Sequence, residues 1–214
     1  MNTFVSPFIR LLALVCTLPL SACASLLGNA IEGTVLEQGT NKPIPGAIVI
    51  VRWGGALPAF AEARSVCVHI ETATTDAMGG FRTAAWRAPS SVGPAPVVQA
   101  HIGPAAYAYK SGYEYVDTQG ETVYLKPFTG TRGERLKYLE RIEYATRCPS
   151  AKESEKNFLP FYQALYDEAT RLAVTRDEKK IADGFLSNIE IIEFGYEAAM
   201  KRAIERAEAR KRQQ

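Results

Sequence analysis

The chain has 214 residues, 47% hydrophobic and 22% charged, with a formal net charge of +2. That length buries a substantial core in one large domain or two small ones, and the composition excludes a disordered polyelectrolyte. Near-balanced charge also excludes a chain-wide basic field for nucleic acid, so partners must be sought in local features.

In chain order, residues 1–22 carry a single charge, Arg10, ahead of the apolar run Leu11-Leu12-Ala13-Leu14-Val15-Cys16-Thr17-Leu18. A run of that length suits a secretory signal and is too short to cross a bilayer, which takes about 20 apolar residues. It closes on Leu20-Ser21-Ala22-Cys23, which resembles the bacterial lipobox, a Leu and two small residues before a cysteine. The resemblance implies that Cys23 is the first mature residue and carries lipid, giving a membrane anchor at residues 23–30. Ala24 after the cysteine, in place of Asp, implies sorting to the outer membrane with the domain facing the periplasm. A plain signal peptide cleaved beside Ala22 or Ala24 is the alternative. Export leaves Cys67 and Cys148 as an even pair in an oxidising compartment, which predicts a disulfide between them, two separate buried thiols being the alternative.

Residues 31–128 read as short β-strands, at about 31–35, 47–53, 66–72, 81–86, 97–102, 113–116 and 122–125. Ala47-Ile48-Val49-Ile50-Val51 is apolar at every position, which predicts a strand covered on both faces. "IEGTVLEQGTNKPIPGAIVIV", "TTDAMGGF", "KSGYEYV" and "VYLKPF" occur in that order and resemble the carboxypeptidase regulatory-like domain. That family is a transthyretin-like β-sandwich of about seven strands, which implies an α+β chain when joined to the helical remainder. Two segments, 54–65 and 87–96, depart from the family pattern and read as loops at one rim. The aromatics Trp53, Phe60, Trp86 and Tyr107 are candidates to line a small-molecule or glycan site there.

From residue 129 the spacing turns helical. Leu136, Leu139, Ile142 and Ala145 mark a first helix ending at Cys148-Pro149, and Phe158, Phe161, Leu165, Ala169 and Leu172 mark a second. Ile181, Phe185, Ile189, Ile192, Tyr196, Ala199, Ala203 and Ala207 predict one long third helix over about 177–210. At 1.5 Å per residue it would reach on the order of 50 Å, outrunning the second. Its end, through Tyr196, Met200, Ala203 and Ile204, is the candidate face for an envelope protein or a second copy of the chain. Its terminal Lys and Arg complement the helix dipole.

Catalytic patterns are weak. His69 and His101 are the only histidines; Glu71 follows His69 by two residues, which breaks the H-x-x-E zinc pattern, and no catalytic residue is assigned. No cluster has metal-ligand spacing, so neither metal nor cofactor is expected. The sequence thus favours a lipoprotein that binds or scaffolds; a ligand-binding module is the alternative and an enzyme the third class.

Overall fold

The computed structural model describes residues 27–57, 64–87, 104–148 and 152–212. It is mixed α+β, with strands first and helices C-terminal. The strands are β1 Leu27–Gly28, β2 Glu32–Glu37, β3 Ile48–Leu57, β4 Arg64–Thr74, β5 Gly80–Arg82, β6 Trp86–Arg87, β7 Ala105–Tyr109, β8 Tyr113–Gln119 and β9 Thr122–Pro127. One sheet has the order β5-β2-β9-β8, a second β4-β3-β7, and β1 pairs with β6 alone. All pairings are antiparallel except β2 with β9, whose register runs Thr34 to Thr122 through Glu37 to Leu125.

The period-2 geometry of β3 divides its side chains between two cores. Val49, Val51 and Trp53 join Val35, Phe81, Ala108, Val123 and Leu125 in a cluster drawn from both sheets. Ile50 points the other way and joins Ile70 and Tyr109 in a cluster with Leu136, Leu139, Phe161, Leu165 and Phe185 from the helices. The strand is therefore covered on both faces. Both β3 and β4 run further than their apolar spans, pairing Gly54 with Cys67 and Gly55 with Val66 after a register shift beside Trp53. Residues 54–57 and 64–65 are thus ladder rather than loop, because a bulge lets the glycine-rich segment stay paired. The strand expected at 97–102 lies outside the described residues, as does most of the expected 87–96 loop. In its neighbourhood β7 was masked by alanine, a weak strand former; here β3 fixes it by pairing Ile48 with Tyr109 through Arg52 with Ala105.

Four α-helices follow: α1 Arg132–Thr146, α2 Leu159–Leu172, α3 Arg176–Phe194 and α4 Tyr196–Arg212, with a 3-10 helix at Lys152–Phe158 before α2. Thr131 with Glu134 and Thr175 with Glu178 form capping boxes at the starts of α1 and α3. Two backbone N–H groups at Thr175 and Val174 hold the Glu178 carboxyl down at about 2.

The single long third helix is corrected. Gly195 takes φ 84° and ψ 163°, a conformation essentially reserved for glycine, and ends α3. The chain then doubles back, so that Arg206 pairs with Glu190 and Arg210 with Asp183. In a continuous helix those partners would stand about 24 and 40 Å apart. The apolar stripe ran through Gly195 unbroken, since Ile192 and Tyr196 keep helical spacing across it, which is why periodicity alone missed the turn.

Candidate functional site

Cys67 and Cys148 form a disulfide with Cα atoms 5.2 Å apart, tying β4 to the end of α1. Of the three expected rim aromatics among the described residues, Trp53 and Trp86 meet, and they do so in the interior, at 5% and 9% exposure. Burial follows from strand register, which places Trp53 opposite His69, while β6 lays Trp86 over them. The His69 and Trp86 rings stack at 4.1 Å, and Trp53 meets Trp86 edge-on at 5.8 Å. His69 Nε2 lies 2.8 Å from Glu71 Oε1. Among the described residues, buried Trp86 Nε1 has no hydrogen-bond partner. Tyr107 packs instead on Tyr115, and Phe60, Cys23 and His101 lie outside the described residues.

Among the described residues the cysteine nearest the His69–Glu71 pair, Cys67, is consumed by the disulfide. Among the described residues no group of three His, Cys, Asp or Glu could hold a metal ion. No described helix is long and apolar enough to cross a membrane.

A second polar centre, unmarked by any motif, joins the β7–β8 turn to the helices. Arg135 donates from Nε to Glu168 Oε1 at 2.9 Å and from Nη2 to Glu168 Oε2 at 3.0 Å. It also donates to the carbonyls of Tyr113 and Lys110, and lies over the rings of Phe128 and Tyr138. Tyr109 donates its hydroxyl to Glu168 Oε2 at 2.5 Å. Burial pushes the Glu168 carboxyl up, but the hydrogen bonds from Arg135 and Tyr109 outweigh it and hold the group below its ordinary value. Burial, reinforced by that same carboxylate, raises the Tyr109 hydroxyl well above its ordinary value. Every strong donor here is engaged, so the network fixes the sheet against α1 and α2.

Beside it opens a cleft of about 550 Å³, with Ile48, Tyr109 and Ala164 at its base and Lys110, Asp167 and Arg171 among its rim. Lys110 Nζ donates to the carbonyls of Pro45 at 2.8 Å and Gly46 at 3.2 Å, so part of its donor capacity is spent on the β2–β3 connection. Among the described residues Arg171 donates to Ser111 Oγ, at 3.4 Å.

The third feature is the outward side of α4. Its inward side is set by Ala199, buried, and by Arg206 and Arg210, which pair with α3. Ala203, half-buried, shares the inward helical spacing of Ala199 and is not on the open face where the sequence placed it. Tyr196, Met200 and Ile204, four residues apart, remain 66%, 43% and 54% exposed. They line a shallow groove of about 560 Å³ with Glu197, Lys201, Glu205 and Glu208 along its flank. Phe194, also exposed, is partly covered by the Arg202 guanidinium 4.0 Å from its ring centroid.

Compared with protein-family models, curated proteins and solved structures, the chain matches none of them.

Proposed function

We propose that this chain is a non-catalytic, lipid-anchored protein of the bacterial outer membrane that faces the periplasm and binds an envelope protein through α4. Support for the anchor is Leu20-Ser21-Ala22-Cys23 at the end of a signal-length apolar run. The Cys67–Cys148 disulfide is what an oxidising compartment produces and thus supports export. Two sheets sharing one apolar cluster support the transthyretin-like sandwich, with the helices packed on the β4-β3-β7 side.

The observation that carries the binding role is the open Tyr196–Met200–Ile204 ridge. It is apolar surface left in water after α4 has satisfied its own packing against α3, at a cost of roughly 25 cal/mol per Å². Its flank, three carboxylates against Lys201, selects a partner segment with apolar anchors and a basic edge. A second copy fits less well. An antiparallel two-fold pairing that faces Met200 with Ile204 brings Lys201 near Glu205, but also sets Glu197 against Glu208, so charge gains nothing.

A photoreactive residue at Met200, with exposed Lys137 as the control position, tests this in cells. Crosslinking from position 200 to a Lys- or Arg-flanked segment of an envelope protein, weakened by Glu205→Lys with Glu208→Lys, is the expected result. Crosslinking only to itself transfers the face to self-association. Yield no higher than at position 137 overturns the role of α4.

A further inference from the structure

The described chain begins its hydrogen bonding at β1, where Leu27 pairs with Arg87 and Gly28 with Trp86. Cys23 stands four residues before Leu27. Four residues span at most about 14 Å however they are arranged. From this we infer that the β1–β6 end of the sheet region is held against the lipid surface, with anionic headgroups as the chemistry it meets. The inference rests on the lipid-anchored reading proposed above.

The hold at β1 is built into the fold. The Gly28 backbone lies directly on the indole of Trp86, where a Cβ would meet Nε1 at 1.8 Å, so no larger residue fits without displacing the ring. Just beyond, Ile31 N donates to Thr83 Oγ1 at 3.0 Å and Thr83 N donates to Ile31 O at 2.8 Å. Freeing more tether would break this pairing and uncover Trp86, which packs on His69 and Trp53. Arg87, exposed and opposite Leu27, is the cation nearest the anchor on the paired strand. Arg82, the next along, is already paired with Glu32 at 2.6 Å. Arg87 is therefore the side chain offered to a phosphate headgroup.

Both tryptophans of the chain sit in this cluster, their ring centroids 5.8 Å apart, and act as one light-emitting reporter of its height above a membrane. The full-length acylated protein is reconstituted in phosphatidylethanolamine–phosphatidylglycerol vesicles carrying a dansyl headgroup probe, and energy transfer from tryptophan to dansyl is measured. A variant with 12 Gly and Ser residues inserted between Ser25 and Leu26 adds a flexible reach of about 20 Å. Circular dichroism melting of both proteins checks that the insertion leaves the fold intact. Transfer in the parent at least twice that of the insertion variant is expected. Equal transfer in the two, with the acyl groups on Cys23 confirmed by mass, overturns this orientation and leaves the anchor standing. Absence of the acyl mass removes the anchor and the orientation together.

Discussion

Replacing Arg135 with Met removes the charge that Glu168 faces while keeping a long side chain between Phe128 and Tyr138. Glu168, 5% exposed, is then left with Tyr109 as its remaining side-chain donor, and the Tyr113 carbonyl loses the guanidinium, while the Lys110 carbonyl keeps the Tyr113 N–H. Stranding one member of a buried ion pair costs about 3–5 kcal/mol, a large share of the 5–15 kcal/mol typical of a folded domain. With a urea slope near 2 kcal/mol/M, the midpoint should fall by about 1.5–2.5 M. The loss has a pH signature. In the parent the folded Glu168 titrates below the ordinary 4.5, so its contribution is complete above that pH and is lost as pH falls through the folded value. In the variant burial acts without the guanidinium, the carboxyl rises, and protonation relieves it. The gap between parent and variant should therefore narrow from pH 7 to pH 3, and Arg135→Met with Glu168→Leu should recover most of it. A single-variant cost under about 1 kcal/mol at pH 7, or a gap of the same size at pH 3, would refute the network as the joint between sheet and helices.

Replacing Cys67 and Cys148 together with Ser opens a link 81 residues apart and should lower stability by about 4.5 kcal/mol on the chain-entropy estimate, measured by urea unfolding without reductant. A midpoint identical to that of the parent would mean that the bridge restrains nothing in the unfolded chain. Gly195→Ala forces a Cβ into a glycine-only conformation and should cost about 1–3 kcal/mol, or straighten α3 into α4 with loss of the Arg206–Glu190 pair. Thermal melting reads the first outcome and small-angle scattering the second; a variant unchanged in both would contradict the turn.

Legibility in the sequence followed the range of the interactions involved. The two-sided burial of β3 could be read from consecutive apolar residues, because a strand alternates faces and each face needs cover. The expected Cys67–Cys148 disulfide forms where the 3-10 helix after Cys148 packs on β4, with Ser154 and Asn157 hydrogen-bonded to Ile70 and Thr72. The capping boxes Thr131-x-x-Glu134 and Thr175-x-x-Glu178 are local signals that a reading by apolar periodicity alone passes over. The reversal at Gly195 was hidden because the apolar period continues through it; only the matches of Arg206 with Glu190 and Arg210 with Asp183 reveal it, and they depend on tertiary structure. Trp53 and Trp86 looked like rim residues because they border glycine- and proline-rich segments, yet register turned both inward. The Arg135–Glu168 centre had no sequence signal at all, since its members are 33 residues apart on different helices.

The parallel pairing of β2 with β9 has a kinetic consequence. These strands lie side by side in the middle of their sheet although Thr34 and Thr122 are separated by most of the β region. A chain made from its N-terminus must keep β2 unpaired on that side until β9 has emerged, so the sheet closes as a late, non-local event. Topologies dominated by such distant pairings fold in about milliseconds to seconds, whereas locally wired helices form in microseconds. The α3–α4 hairpin, whose own contacts are local, docks chiefly on α2, and α2 in turn packs on β3. The nascent protein therefore spends its longest pre-native interval with the β9-facing edge of β2 open, and that is the stage at which a holding chaperone would find it.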